Sequence, residues 1–398
     1  MIMNPFSIEF CPVCHSQNLL EVIKITNIPV YCNVLFDSQQ EAEKSKRGNI
    51  HLYYCKTCQH FFNRDFNPEL LDYSVSYENS LHFSPHFQEY ATDLASYLIN
   101  KYNLRGKDII DVGCGKGDFL KLICELGDNR GYGFDKSFEP ENLSHSPDNS
   151  VSFIQDFFSE KYSDYPADML LCRHVLEHVD NPNEFLKMIR DSLSRNSDTH
   201  LYFEVPNVMY TIEQSGIWDL IYEHVSYFSA FSLKELFYLN HFQIQAVKEQ
   251  YDGQFLGIEA SIVIDNKQNQ HHFAPDDLVI INDLVIKFEK LFKEKVSSFQ
   301  NKLDQLFQQG KKTVIWGGGS KGVTMANLLN TKVKIDYIVD LNPRKQGKFV
   351  AGTGNQIISP DFLKSYKPDW IILMNPVYAN EVKKIVNELG LKAEYLYA

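Results

Sequence analysis

The sequence predicts an α/β chain built around a Rossmann-like parallel sheet, with a small cysteine-built unit ahead of it and a second α/β unit behind. Three observations carry this. Apolar, strand-length runs alternate with helical periodicity from about residue 87 to residue 207. Two Cys-x-x-Cys pairs lie within the first 60 residues, and a second strand–glycine turn–helix opens at Thr313. Alternation of strands with helices makes parallel βαβ units, whose crossover helices cover both faces of one sheet.

The central element is Ile109-Ile110-Asp111-Val112-Gly113-Cys114-Gly115-Lys116-Gly117-Asp118-Phe119-Leu120. It reads as a buried strand, a glycine-rich turn and the start of a helix. Glycines let the chain turn tightly and approach a ligand without Cβ interference, and the helix N-terminus behind them offers free N–H groups. The next strand ends at Asp135, 24 residues after Asp111; a third leads to Asp156-Phe157, and a fourth, Ala167–Cys172, runs into Arg173. A strand-end acid before Gly-x-Gly-x-Gly resembles the cofactor site of class I S-adenosylmethionine (SAM) methyltransferases. A dinucleotide turn, the competing reading, spaces its glycines as G-x-G-x-x-G. The resemblance implies that Asp111, Gly113, Cys114, Gly115 and Gly117 cradle the amino-acid end of SAM. It gives Asp135 the ribose hydroxyls, Asp156 and Phe157 the adenine, and Arg173 a place beside the cofactor. Phe242–Tyr251 and Gln254–Ile264 are two neighbouring strand-like runs, suited to the antiparallel pair that closes a seven-stranded methyltransferase sheet.

Three units follow: residues 1–72, 73–265 and 276–398. A helix from about Phe87 to Tyr102 leads into the SAM strand. The polar stretch Asn266–Asp277 reads as a linker, and Leu278–Gln309 as a long amphipathic helix. Then Thr313-Val314-Ile315-Trp316-Gly317-Gly318-Gly319-Ser320-Lys321-Gly322 places glycines at G-x-G-x-x-G spacing. Lys334–Asp340 and Trp370–Met374 supply further strands. The preferred reading is a Rossmann-like unit that has kept the turn without binding NAD, since a fold does not establish its ligand.

Cys11-Pro12-Val13-Cys14 and Cys55-Lys56-Thr57-Cys58 stand 40 residues apart. Each pair spans one edge of a tetrahedron, so the spacing points to a structural zinc held by Cys11, Cys14, Cys55 and Cys58, with His15 and His60 as possible substitutes. Neither pair sits between a strand and a helix as a redox motif requires. Cys32, Cys114, Cys124 and Cys172 read as small buried apolar residues. Free cysteines and the absence of a secretion-type start lead us to expect a reducing compartment, the cytoplasm. The 398-residue chain has a formal charge of −12 and pI ≈ 5.6, which argues against nucleic acid as a partner. No run of 18 apolar residues exists, so no membrane helix is expected.

His174-Val175-Leu176-Glu177-His178 matches the H-x-x-E-H pattern of one zinc-peptidase group. Its place after the fourth strand instead makes it the loop closing over the reacting methyl. His178 then sits at the active-site rim, and His174 suits a structural role equally well. Taken together, the cysteine pairs, the DVGCGKGDFL turn, Glu223-His224-Val225-Ser226-Tyr227-Phe228, WGGGSKG and VDLNPRKQGKF resemble the sugar C-methyltransferases of branched deoxysugar biosynthesis. The resemblance covers essentially the whole chain. It implies methylation of a carbon next to the keto group of a nucleotide-activated hexose, with His224 as general base beside Glu223, and Tyr77 in the segment before the SAM unit. Asn207, Ser320 and Lys321 become candidate substrate contacts.

One departure stands out. Relatives spell Tyr-His-Glu-His at the base, whereas this chain reads Ile221-Tyr222-Glu223-His224, so Tyr222 need not take the usual tyrosine's place. The chemistry is consistent with these residues. Carbon becomes a nucleophile only after losing a proton, which requires a base such as histidine, and the resulting enolate needs a donor such as Tyr77 or Tyr222. Two other readings remain open: an O- or N-methyltransferase on the same scaffold, and a non-catalytic SAM- or nucleotide-sensing protein.

Overall fold

The computed structural model describes residues 7–71, 77–138, 150–193, 198–262, 277–329 and 335–398. The expected unit boundaries and the expected strand start at Lys334 lie outside them. The N-terminal unit contains β1 (Leu19–Pro29), β2 (Leu35–Phe36), α1 (Gln39–Glu43), β3 (Arg47–Cys55) and β4 (Phe61–Asn63). β3 pairs antiparallel with both β1 and β4.

Next come α2 (Pro85–Tyr102), β5 (Asp108–Val112), α3 (Asp118–Gly127), β6 (Arg130–Phe134), β7 (Val151–Ile154) and β8 (Met169–Arg173). They are followed by α4 (Pro182–Ser192), β9 (His200–Pro206), α5 (Val208–Glu213), β10 (Ser226–Tyr227), α6 (Ala230–Leu239), β11 (Phe242–Gln250) and β12 (Phe255–Ile262). The helix starts are legible in the sequence. Ser84 accepts from the Phe87 N–H with Pro85 in the first turn of α2, and Asn181 with Pro182 repeats the device at α4. α2 stops where Asn103 turns left-handed, with φ 51°. β5 is buried throughout, as a central parallel strand must be.

The sheet order is β11-β12-β9-β8-β5-β6-β7. β5 to β9 run parallel, β12 is antiparallel to β9, and β11, antiparallel to β12, runs in the direction of the other five. This is the class I SAM methyltransferase sheet. Its strand order reverses between β5 and β8, and a crevice opens there at the strands' carboxyl ends.

The C-terminal unit begins with α7 (Asp277–Gln308), followed by β13 (Thr313–Trp316), α8 (Ser320–Leu328), β14 (Tyr337–Val339), β15 (Phe349–Val350), β16 (Gln356–Ile358), α9 (Leu363–Tyr366), β17 (Trp370–Leu373), α10 (Ala379–Glu388) and β18 (Glu394–Tyr397). Val285, Phe288, Phe292, Phe299, Leu303 and Leu306 of α7 are buried at helical spacing. The helix packs on β1 and α5, bracing all three units.

The units are less separable than the sequence suggested. β2 leaves the N-terminal sheet and adds to the edge of the C-terminal one, pairing Leu35 with Val350 and Phe36 with Phe349. β10, just after His224, pairs with β4, so Ser226 lies opposite Phe62 and Tyr227 opposite Phe61. Two-residue strands carry no periodicity, which is why the pattern of apolar residues did not reveal them.

Gly322 shows how tightly the C-terminal turn is packed, since a Cβ there would lie 2.0 Å from the Gly317 carbonyl oxygen. Backbone cannot yield as a side chain can. Gly322→Ala is expected to cost about 1–3 kcal/mol, read as a lower urea midpoint. Gly347→Ala meets nothing within 4 Å but imposes φ +83° on alanine, and should cost about 1 kcal/mol.

Candidate functional site

The glycine turn after β5 holds three glycines for three reasons, all at positive φ: 72° at Gly113, 56° at Gly115 and 78° at Gly117. A Cβ on Gly113 would strike Val175, and one on Gly117 would strike Phe153, both at under 2.5 Å; one on Gly115 would enter open space. That opening suits the amino-acid end of SAM. The Gly115 N–H donates to Asp135 Oδ2 at 2.8 Å, while Asp135 Oδ1 accepts from the N–H and hydroxyl of Ser137. Asp135 therefore organises the turn before any ribose reaches it.

Asp111 is buried behind the turn, and burial pushes its carboxyl up to about 7 against the pull of Arg173. Cys114 is half-buried at the turn. Asp156 is tied to Lys161 and to the Tyr162 hydroxyl at 2.7 Å, which hold it down at about 2, and Phe157 stands 60% exposed. The adenine side is thus the loosest part of the expected cradle.

Arg173, expected beside the cofactor, is held behind the glycine turn by a buried carboxylate. Its guanidinium donates to Glu204 Oε1 at 2.8 and 3.1 Å and lies 4.1 Å above the Phe119 ring. His174 follows in a left-handed conformation, φ 56°, with Nε2 3.0 Å from Glu204 and Nδ1 3.6 Å from Glu177. Burial alone would lower this imidazole, but the two carboxylates raise it to about 9. The segment 173–178 therefore has two faces. Arg173 and Val175 back the cradle, while His174, Glu177 and His178 line a cavity on the other side.

That cavity has a volume of about 320 Å³ and lies between the carboxyl ends of the two parallel sheets. Its far wall is the Trp316–Gly322 turn with Asp340 and Asn342, and Asn33 and Tyr77 reach in from the N-terminal side. All three expected substrate contacts are on its wall. Asn207 caps α5 and donates to Gly253 O at 2.9 Å; Lys321 bridges the cleft to Asp219 and Gln254, both at 3.1 Å; Ser320 opens α8. The Gly318 N–H donates to Asp340 Oδ2 at 2.8 Å, repeating the Gly115–Asp135 bond.

His224 and His178 meet edge-on at the wall, with ring centroids 4.8 Å apart. His178 Nδ1 donates to the Glu223 carbonyl at 2.9 Å. Burial pushes His224 down to about 3 and also lowers His178, so both rings are neutral. The carboxylate beside them is Glu177, which sequence reasoning did not single out; the only signal was its place in H-x-x-E-H. Glu223 does not orient its neighbour. Its buried carboxyl, pushed up to about 7, accepts from the Cys32 N–H at 2.8 Å and from Tyr77. Asn33 in turn donates to the Tyr77 hydroxyl at 3.1 Å.

The cysteine pairs are two copies of one turn. His15 N bonds Cys11 O at 2.9 Å and Gln59 N bonds Cys55 O at 2.8 Å, with His15 and Gln59 both left-handed. Sγ of Cys11 and Cys58 lie 3.5 Å apart, and those of Cys14 and Cys55 3.6 Å. A tetrahedron with zinc–sulfur bonds of about 2.3 Å has edges of roughly 3.8 Å, so the donor set fits. Neither histidine replaces a thiolate: His15 is exposed, and His60 is buried with Nε2 3.2 Å from Ser226 Oγ.

Family comparisons agree with this architecture. Residues 84–247 match the methyltransferase domain model and residues 282–392 the C-methyltransferase C-terminal domain model. C-methyltransferase NovU of Streptomyces niveus is 22% identical over 94% of this chain and 91% of its own length. A ubiquinone biosynthesis O-methyltransferase of Proteus mirabilis is 29% identical over 26% of this chain and 44% of its own. Magnesium protoporphyrin IX methyltransferase from Synechocystis aligns at 18% identity and a TM-score of 0.34, covering 45% of this chain and 84% of that one.

The chain is a SAM-dependent methyltransferase. Its C-terminal residues match the C-methyltransferase C-terminal domain model, and over nearly its full length the chain is similar to C-methyltransferase NovU.

Against the Tyr-His-Glu-His of the sugar C-methyltransferases, the structure makes one correction. Ile221 lines the cavity and Tyr222 does not. The Tyr222 ring packs on Gly48 and Phe66, and its hydroxyl bonds the Asn67 N–H at 2.9 Å. Tyr222→Phe should therefore cost about 1 kcal/mol of stability, the worth of that hydrogen bond, and leave kcat within about two-fold. A loss of turnover without loss of stability would put the tyrosine back in the chemistry.

Proposed function

We propose that this methyltransferase is a C-methyltransferase that acts on the carbon next to the keto group of a nucleotide-activated sugar, with His224 as the base. The observation behind this reading is the cavity itself. It lies between two Rossmann-like sheets, and the histidine pair and the cradle share the wall formed by residues 173–178. An isolated methyltransferase domain would suffice for a small planar substrate. A second unit facing the first suits a two-part molecule, with the sugar against His224 and the nucleotide against Gly317–Gly322. Lys321, Ser320 and the buried Lys345, whose Nζ is 3.3 Å from Gly318 O, supply donors for a diphosphate.

The cradle residues would be Asp111, Gly113, Cys114, Gly115, Gly117 and Asp135, with Asp156 and Phe157 at the adenine. When bound, SAM supplies an electrophilic methyl on a sulfonium. The protein's part is to remove a proton and hold the charge that results. His224 takes the proton from the α-carbon, and His178 packs against it with its own N–H fixed on the Glu223 carbonyl. The Tyr77 hydroxyl, on the same cavity, turns its one proton from Glu223 to the enolate oxygen as that oxygen gains charge. Arg173 acts through Glu204, fixing the wall that sets the distance between carbon and methyl.

His224→Asn should keep the fold and SAM binding while lowering methyl transfer on the order of 100-fold or more. It should also stop deuterium wash-in from solvent at the α-carbon of a nucleotide-linked 4-keto sugar. Normal exchange without methylation would assign the base to another residue, His178 first. No exchange in the wild-type enzyme, with methyl transfer to oxygen or nitrogen, would overturn C-methylation altogether.

We further propose that Cys11, Cys14, Cys55 and Cys58 hold a structural zinc, closed to chemistry because four thiolates fill the tetrahedron. Cys58→Ser should lose about one zinc per chain by elemental analysis, and because metal binding here is folding energy, it should loosen β4 and therefore β10. Full-length protein that is zinc-free and equally stable would sink the idea.

A further inference from the structure

We propose that Glu177, His178 and His224 form a second metal site, suited to a divalent ion of the zinc, cobalt or nickel kind and separate from the four cysteines. The donors converge from two places in the chain. Glu177 and His178 end the short turn after β8, and His224 precedes β10. One ligand atom from each lies within 4.8 Å of the other two. Bonds of about 2.0–2.2 Å to nitrogen and oxygen place neighbouring donors roughly 3–3.5 Å apart, so small side-chain rotations bring the three into range.

Two polar atoms here have no hydrogen-bond partner among the described residues. Glu177 is 2% exposed, and its Oε2 accepts nothing; Nδ1 of His224 is equally buried and bare. A buried carboxylate oxygen left unmatched is costly, and native structures keep few of them without a purpose. The surroundings resemble the support of a metal site. His178 spends Nδ1 on the Glu223 carbonyl, which leaves Nε2 with a free lone pair, the usual way a ligating histidine is oriented. The other Glu177 oxygen faces His174.

His174 is the residue that H-x-x-E-H spacing would nominate as a ligand, yet its Nε2 is turned onto Glu204. His224, 46 residues beyond His178 in sequence, takes that place. Two imidazoles and one carboxylate favour borderline transition ions over magnesium or calcium. Since all three residues line the cavity, the ion would keep open positions on that side, unlike one enclosed by four thiolates.

The site does not depend on the choice of base, but its consequence for turnover rests on that reading. An ion that occupies a His224 lone pair removes the proton acceptor, so the metal-free pair is the active form and a second equivalent of metal inhibits. Full-length protein carrying its cysteine-bound metal is titrated with Zn2+ by calorimetry and with Co2+ by visible absorption. The expected result is one further equivalent, with weak cobalt d–d bands and no added thiolate charge-transfer band. Affinity should drop by at least ~10-fold in Glu177→Gln and again in His178→Asn, each checked for fold by circular dichroism. Saturation at the cysteine equivalent alone, or unchanged second-site affinity in both folded variants, would overturn the site. Second-site binding that leaves methyl transfer untouched would uphold the site and count against His224 as the base.

Discussion

The buried charge of Glu204 is the constraint on which the rest of the site depends. Its side chain is fully buried on β9, directly across from Arg173 on β8. Such a charge survives in the interior only if paired and fully hydrogen-bonded. Arg173, His174, and the hydroxyls of Tyr202 and Tyr90 all converge on it, holding its carboxyl well below the usual range. Meeting that demand pulls His174 into a left-handed turn, a conformation that costs a non-glycine residue about 1–2 kcal/mol. The turn sends the chain sharply away from β8 and delivers Glu177 and His178 to the cavity. Removing Arg173 would leave the buried carboxylate only His174 and the two tyrosine hydroxyls, and would loosen the wall between cradle and cavity. The electrostatics of two strand ends thus set the geometry of the cavity wall.

The two Rossmann-like units solve one local problem identically. In each, an aspartate ending the second strand takes a glycine-turn N–H with one oxygen and the N–H two residues on with the other: Gly115 and Ser137 on Asp135, Gly318 and Asn342 on Asp340. The turns then diverge. Gly115 opens onto empty space, whereas Gly322 is filled by the Gly317 carbonyl and Lys345 Nζ lies 4.0 Å from Asp340. A buried ammonium beside the strand-end acid gives the second turn a different charge pattern from the first. Similar backbones thus carry different surroundings at the two turns.

Much of this was legible in the residues, because the signals were local. Strand-end acids, glycines needing positive φ and capped helix starts each report on neighbours a few positions away, so the sheet with its glycine turn followed from pattern alone. The two cysteine knuckles were legible for the same reason, each being one five-residue turn. What escaped depends on through-space partners. The edge strand β2, the pairing of β4 with β10, and the convergence of Glu177 on His224 join residues tens to hundreds of positions apart. The Tyr222 case is subtler. Ile221 and Tyr222 are adjacent and both apolar-bodied, and only the packing against Gly48 decides which one turns toward the cavity.

Short strand pairings tie the cysteine-built unit to the rest of the chain. β10 is only two residues long and is held by β4, which is itself paired along its length with β3 and follows the Cys55–Cys58 knuckle. His224 sits two residues before β10, and the Glu223 side chain is fixed on the Cys32 N–H. The backbone around His224 is therefore held by the N-terminal unit as well as by the sheet that carries the glycine turn. Tyr77 is tied to that unit as well, through its bridge to Val34 and the Asn33 amide. The four cysteines are not among the residues lining the cavity, yet the turn they close leads into β4, on which β10 pairs. The cavity is a joint property of all three units, joined by the two-residue strands β2 and β10.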